Sequence, residues 1–170
     1  VVSMGWRRVL AHWMTGEYAA RRAFPDAAME RIGAAIREGE RSHGAEVVFA
    51  VEASLPTRAL WADESPRERA LEAFGFLGCW DTGDNNGVLI YLLLADRDVE
   101  IVADRGAARA VGAEAWEAAC LEMEAHFRAR RFEQGALAGV RRVHALLAPH
   151  FPPRPREPDE LANRPVIIRR

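Results

Sequence analysis

The chain has 170 residues, of which 23 are basic and 25 acidic, and its formal net charge is −2. Together with 49% hydrophobic and 28% charged residues, these values are typical of one soluble globular domain that buries roughly two-thirds of its unfolded surface. A charge so close to neutral disfavours a nucleic-acid partner, and the composition excludes extended disorder except at the ends.

All 23 basic residues are arginine, which excludes chemistry that needs a lysine, such as a Schiff base. Cys79 and Cys120 are the only cysteines, too few for a disulfide framework, and we expect both to be buried small hydrophobic residues. No secretory signal and no apolar run of roughly 18 residues is present. We therefore expect a cytoplasmic protein, with association to a membrane as a further option.

Residues 4 to 23 are predicted to form an amphipathic helix. Large apolar residues recur there with the spacing i, i+3, i+4 and i+7, and arginines flank them. The apolar stripe comprises Trp6, Val9, Leu10 and Trp13, and the arginines are Arg7, Arg8, Arg21 and Arg22. We expect the stripe to pack on the chain's own domain or on a second copy in a homodimer. Contact with a membrane surface is the alternative. Such contact would be weak, because a single short helix binds a bilayer poorly.

Turn residues and hydrophobic periodicity divide the rest of the chain into helices and strands. The predicted elements are a helix from Phe24-Pro25-Asp26 to about residue 42, a strand over 45–53, a helix over 66–78, strands over 88–95 and 98–103, and helices over 113–130 and 132–147. Residues 149–165 contain six prolines and form a predicted linker. The apolar segment Val166-Ile167-Ile168 after it either docks as an edge strand or stays loose.

A serine followed by a proline marks the start of helix 66–78. Ser65 is predicted to cap this helix, with Glu68 completing a capping box. The residues predicted to face the core are Leu71, Phe74 and Leu77.

The run from Val88 to Ala95 is apolar without interruption, which predicts a strand covered by helices on both faces. Only Asp96 and Arg97 separate it from the alternating strand 98–103. So short a connection predicts an antiparallel hairpin.

The sequence resembles the TPM domain family through several motifs that occur together in order. They are His43-Gly44-Ala45-Glu46-Val47-Val48, residues 73–80 leading into Asn85-Asn86-Gly87-Val88-Leu89-Ile90, the segment Val99-Glu100-Ile101-Val102-Ala103-Asp104-Arg105-Gly106, and Arg131-Phe132-Glu133-Gln134-Gly135-Ala136-Leu137. Each motif alone is weak, but their order is specific, and together they cover residues 25–150. The resemblance divides the chain into an N-terminal amphipathic helix over 1–23, a TPM-like domain over 24–150 and a Pro-rich C-terminal tail over 151–170.

The resemblance implies an α/β fold, namely a three-layer αβα sandwich with a small mixed β-sheet flanked by helices on both faces. It also implies a divalent-cation site, as described in some members, and acid phosphatase activity, as claimed for some. Many members are attached to membranes or exported, and the absence of a signal or membrane-spanning segment in this sequence departs from that pattern.

A candidate metal site follows from the predicted hairpin. Antiparallel pairing places Asp104, at the end of strand 98–103, beside Gly87, where the polar loop leads into strand 88–95. Oxygen donors without cysteine or histidine suit a hard cation such as Ca²⁺ or Mg²⁺. The candidate ligands are Asp81, Asp84, Asn85, Asn86 and Asp104. The other interpretation is a turn-rich connection that binds no metal, since Asp, Asn and Gly are common turn residues.

The opposite end of the sheet offers a rival acidic cluster of Glu52, Asp96 and Asp98, provided that strand 45–53 lies parallel to strand 88–95. For a phosphatase, Arg105 and the metal would hold the phosphate, and a metal-bound water would attack. The sequence places no general base near the loop, because His43 is expected to be a capping or surface residue.

Two functions are compatible with these observations. The favoured hypothesis is a non-catalytic protein-interaction module that binds a divalent cation, because the sequence offers cation ligands without an arranged acid, base or nucleophile. The alternative is a metal-dependent acid phosphatase that acts on phosphate monoesters. The expected partner is a protein that the sequence does not identify, with no nucleic acid.

Overall fold

The computed structural model describes residues 5–153, 161 and 163–169. Eight helices and four strands occur among these residues. In chain order they are α1 (Trp6–Met14), α2 (Glu17–Ala23), α3 (Asp26–Glu40), β1 (Val47–Glu52), α4 (Thr57–Trp61), α5 (Pro66–Phe76), β2 (Val88–Leu93), β3 (Asp98–Ala103), α6 (Arg105–Ala110), α7 (Ala113–Arg128), α8 (Phe132–Leu147) and β4 (Val166–Ile168).

The strands form one mixed sheet in the order β3-β2-β1-β4. Strand β1 runs parallel to β2, with Val47 opposite Val88, and also parallel to β4, with Ala50 opposite Val166. Strands β2 and β3 are antiparallel, with Val88 opposite Ala103. The predicted hairpin is therefore confirmed, and the C-terminal segment docks as an edge strand instead of staying loose.

Alternation along β2 separates two hydrophobic cores. Val88, Ile90 and Leu92 belong to the larger core, which α3, α7 and α8 cover. Their neighbours Leu89, Tyr91 and Leu93 belong to the smaller core under α4 and α5. Every residue of β2 is buried, as expected of an apolar strand between two helical layers. The predicted αβα sandwich is confirmed.

The N-terminal segment differs from the predicted single helix over residues 4–23. It forms two helices, because the backbone is extended at both Thr15 and Gly16 and α1 ends there. Both the backbone N–H and the hydroxyl of Thr15 donate to the carbonyl of Ala11, at 3.0 and 2.8 Å, and Gly16 is extended. Most of the apolar stripe also does not pack on the described part of the domain: Trp6, Leu10 and Trp13 are 69%, 46% and 66% exposed, and only Val9 is half-buried.

Helix α5 begins as predicted but faces the sheet differently. Ser65 and Glu68 form the predicted capping box. The predicted core residue Leu71 is exposed, whereas Ala70 and Ala73 are buried. The small alanines allow the helix backbone to approach the sheet closely, so the larger side chains lie at the sides of the contact.

Smaller differences concern short elements and boundaries. Helices α4 and α6 have five and six residues and were not predicted. Strand β2 ends at Leu93, two residues early, because residues 94–97 form a turn in which Arg97 has a φ of +53°. Residues 154–160 and 162 of the predicted Pro-rich linker lie outside the described residues.

Among the helices that the structure describes, none is both long and apolar enough to cross a bilayer.

Candidate functional site

The predicted proximity of Asp104 to the polar loop is present. The Asp104 N–H donates to the Gly87 carbonyl at 2.9 Å, one step beyond the last residue pair of the β2–β3 ladder. Gly87 lies so close to the loop's start that a Cβ there would come within 1.9 Å of the Cys79 carbonyl oxygen. Only glycine fits at this position, so residues 79–87 close into a tight loop against the end of β3.

The loop also caps helix α6. Asn85 has a φ of +53°, and its carbonyl accepts from the N–H groups of Gly106 at 2.8 Å and Ala107 at 3.3 Å. The Asp104 Oδ1 accepts from the Arg105 N–H at 2.7 Å. Protein groups thus occupy three N–H groups in the first turn of α6, which leaves none of these three to bind a phosphate.

Two side chains at this end of the sheet are buried, and each has one oxygen atom without a hydrogen-bond partner among the described residues. Asp104 is 9% and Asn86 2% exposed. The Asn86 Nδ2 donates to the Gly44 carbonyl at 2.7 Å. The Oδ1 of Asn86 and the Oδ2 of Asp104 have no hydrogen-bond partner in the part of the chain that the structure describes. Buried acceptors of this kind normally bind a water or an ion.

The structure does not gather all five predicted ligands into one enclosed site. Asp81, Asp84 and Asn85 are exposed on the loop, whereas Asn86 and Asp104 are buried beneath it. Within the described ranges, no group of three His, Cys, Asp or Glu side chains is arranged to hold a metal ion. A ligand set at this loop therefore has to include backbone carbonyls, amide oxygens or water.

A buried histidine pair lies near the same end of the sheet, next to the Gly44 carbonyl that Asn86 contacts. The Nε2 of His43 lies 2.7 Å from the Nδ1 of His144. The Ala45 N–H donates to the His43 Nδ1 at 3.1 Å, so the His43 Nε2 carries the proton and donates to His144. Burial lowers the pKa of both histidines to about 4, which keeps the pair neutral.

The expectation that His43 is a capping or surface residue is wrong, since only 2% of it is exposed. His144 was not singled out from the sequence. The available signal was its place on the apolar face of α8, four residues after Val140, where an unpaired polar side chain would be unfavourable.

The three residues of the rival acidic cluster do not form one site, because each has its own surroundings. The condition set for the cluster is met, since β1 and β2 are parallel. Glu52 is 1% exposed and accepts from the Nε and Nη2 of Arg69 at 2.8 and 3.0 Å. The Tyr91 hydroxyl donates to the same carboxylate at 2.8 Å. This buried pair is structural, because Arg69 compensates the charge of Glu52.

The two remaining acidic residues of that cluster have different surroundings. Asp96 contacts the side chains of Arg8 and His12. Asp98 has a buried Oδ1 without a partner among the described residues. Burial, together with the carboxylates of Glu100 and Glu124, raises the pKa of Asp98 to about 6.

Comparison with known proteins supports the resemblance in sequence. The family model described as the TPM domain matches residues 18–146. The solved NMR structure of the BA42 protein from the psychrophilic bacterium Bizionia argentinensis is similar, with a TM-score of 0.71 and 26% identity over 83% of this chain and 92% of that chain. No curated protein matches significantly. Because the family match spans most of the sequence, the chain belongs to the TPM domain family.

Proposed function

We propose that this TPM domain is a non-catalytic interaction module that binds a divalent cation, Ca²⁺ or Mg²⁺, at the loop of residues 81–87 and Asp104. The observation that carries the proposal is the buried carboxylate of Asp104, whose Oδ2 has no partner among the described residues. A buried carboxylate oxygen without a donor is unfavourable in a folded protein. A bound cation would remove that penalty.

The donor chemistry of the loop suits a hard cation. Apart from the amide nitrogens of the asparagines, the candidate ligands offer only oxygen atoms. These ligands are Asp81, Asp84, Asn85, Asn86 and Asp104. Ca²⁺ prefers carboxylate, amide and backbone carbonyl oxygens, and Mg²⁺ commonly keeps several waters. Because Asn85 and Asp104 both contact the first turn of α6, a cation there would hold the loop, β3 and α6 together.

The surface beside this loop supports a protein partner. Phe76 and Trp80, at the end of α5 and the start of the loop, are 56% and 57% exposed. The Trp80 indole N–H donates to the Gly75 carbonyl at 3.2 Å, so the ring is held in place. Ordered, exposed aromatic side chains are typical of protein contact surfaces.

The same surroundings favour binding over phosphate hydrolysis. His43 and His144 are buried and bonded to each other, so neither is placed to act as a base on a substrate at the loop. Arg105 is exposed, and the N–H groups beside it already have partners. Acid phosphatase activity therefore remains the alternative that the experiment must exclude.

Calorimetric titration with CaCl₂ and with MgCl₂ tests cation binding. We expect a dissociation constant between about 10⁻⁶ and 10⁻³ M and at least a tenfold weaker response from Asp104→Asn and Asp84→Ala. The matched control Asp26→Asn, an exposed aspartate on α3, should bind as the wild type does. An equal, weak response from all four proteins would contradict the proposal.

An assay with an aryl phosphate separates the two functions. We expect no turnover with either cation. Turnover that chelator and Asp84→Ala both abolish would establish the acid phosphatase alternative and contradict a non-catalytic role.

A further inference from the structure

Helix α1 is attached to the domain by its polar face. The Arg8 Nε donates to the Asp96 Oδ2 at 3.1 Å, and the Arg8 Nη2 to the Glu64 carbonyl at 3.1 Å. The Leu55 N–H donates to the His12 Nδ1 at 3.0 Å, so the His12 Nε2 carries a proton and donates to the Asp96 Oδ1 at 2.9 Å. His12 is 1% exposed. These bonds fix which side of α1 faces away from the protein.

The side that faces away is apolar. At about 100° per residue, Trp6, Leu10 and Trp13 of the apolar stripe lie opposite the polar anchor together with Met14, whereas Val9 of the stripe is half-buried. Met14 is 76% exposed, and Tyr18 on α2 is 77% exposed. Monomeric soluble proteins rarely display a contiguous group of this size without a use for it.

A basic groove lies beside helix α1, where Ala11 and Thr15 form part of its wall. It has a volume of about 600 Å³ and lies between α1, α2, the hairpin turn and the start of α8. Arg22, Arg97 and Arg130 line it together with alanines, Leu94 and Phe132, and no acidic side chain of the described chain does so. None of the three arginines forms an ion pair with another described residue.

We infer that the face formed by α1, α2 and this groove docks on the surface of an anionic phospholipid bilayer. Tryptophan and tyrosine prefer the interface between headgroups and acyl chains, where the stripe would insert. Arginines near an anionic leaflet gain electrostatic attraction to its phosphates. Arg7, Arg21 and Arg22 are exposed on α1 and α2, whereas Arg8 is paired with Asp96 at the anchor. Glu17 is the one acidic residue of the segment 5–23, so the exposed arginines leave this face basic in a chain whose net charge is −2.

The same charge distribution argues against a second copy as the occupant. A symmetric dimer through this face would place the arginines of one copy against those of the other. Like charges at such an interface oppose association. A bilayer with anionic headgroups instead complements both the apolar and the basic parts of the face.

Vesicle flotation tests the inference with the full chain. We expect it to float with vesicles of equal parts phosphatidylcholine and phosphatidylglycerol, and not with phosphatidylcholine alone. Leu10→Ser should weaken binding about tenfold, because an inserted leucine is lost. Leu121→Ser is the matched control, since Leu121 is an exposed leucine on α7, 55% exposed against 46% for Leu10, and it should bind as the wild type does.

Variants that remove arginine charges test the part of the groove in vesicle binding. The double variant Arg97→Gln and Arg130→Gln should lose roughly 25-fold in vesicle affinity, about fivefold for each arginine. The control Arg109→Gln and Arg142→Gln removes two exposed arginines elsewhere and should lose far less. Equal losses in the two double variants would show that only net charge matters, and would overturn the groove's part in the inference.

Two outcomes would overturn the inference as a whole. If the chain does not float, and ultracentrifugation shows a dimer that Leu10→Ser dissociates, the face is a homodimer interface. If the chain does not float but binds inorganic phosphate through Arg97 and Arg130, the groove is a site for free anions. Neither outcome bears on cation binding at residues 81–87, because that loop lies at the other end of the sheet.

Discussion

Glu52 is a buried carboxylate whose charge is compensated inside the protein. It is the last residue of β1, it is buried, and Arg69 and Tyr91 supply its hydrogen bonds. A buried carboxylate is tolerated only when it is paired in this way. Arg69 also contacts Glu72 at the surface, so it links the sheet to the outer side of α5.

Removing the partner of this carboxylate should be severe. We expect Arg69→Met to lower the free energy of unfolding by about 3–5 kcal/mol, because Glu52 would remain buried and charged. Urea denaturation at neutral pH measures the loss.

The control for that prediction is Arg31→Met. Arg31 makes a similar two-point contact with Glu133, but Arg31 is exposed, and solvent-exposed ion pairs contribute little to stability. The prediction is wrong if Arg69→Met lowers the free energy of unfolding no more than Arg31→Met does. Such a result would mean that the charge of Glu52 is compensated or neutralised in the Arg69 variant.

The histidine pair connects the segment before β1 to helix α8. His43 precedes β1, and His144 lies on α8, where its ring packs on α3 at Gly39. A Cβ on Gly39 would lie 2.1 Å from the His144 ring, so glycine makes room for the pair between the two helices.

This pair predicts a pH dependence of stability. The pKa of each histidine is lowered from 6.5 to about 4 in the folded chain, so the unfolded chain binds protons more readily. The free energy of unfolding should fall as pH decreases from about 6.5 toward 4, by roughly 2–4 kcal/mol between pH 7 and pH 5. Urea denaturation across this range measures it.

Asp98 has the opposite effect on the free energy of unfolding over part of this pH range. Its raised pKa of about 6 means that the folded chain takes up this proton first, which offsets some of the loss. The double variant Asp98→Asn and His144→Gln should therefore show a weaker pH dependence than Asp98→Asn alone. If both variants lose stability equally on acidification, the histidine pair is not the cause.

Most elements were predictable because their signals are local. The capping box at Ser65 and the apolar run of β2 depend on neighbouring residues, and antiparallel pairing placed Asp104 beside the loop. Local signals could not orient α1, because its partners are remote: Asp96 is 88 residues from Arg8. They also could not show that Asn86 and Asp104 are buried while Asp81 and Asp84 are exposed, since burial depends on how α6 covers the loop.

The two proposed binding surfaces lie at opposite ends of the sheet. The loop of residues 81–87 and the exposed aromatic residues Phe76 and Trp80 lie where β2 begins, and the face with α1 and the basic groove lies where β2 ends. Docking on a bilayer through the second end would leave the loop directed away from the membrane and accessible to a protein partner.

Strand β4 lies outside the family match of residues 18–146. Strand β4 pairs with β1 at the sheet edge. Ile168 is buried and lines, with His12 and Glu52, a small cavity of about 210 Å³. Deleting residues 161–170 should therefore remove ladder hydrogen bonds and apolar burial, which lowers the free energy of unfolding by roughly 2–4 kcal/mol. It should also expose the edge of β1 and promote self-association. Urea denaturation and size-exclusion chromatography measure the two effects. The control deletes only residues 169–170 and keeps β4. If the longer deletion leaves stability and monomer content equal to those of the control, β4 does not contribute to the fold in solution.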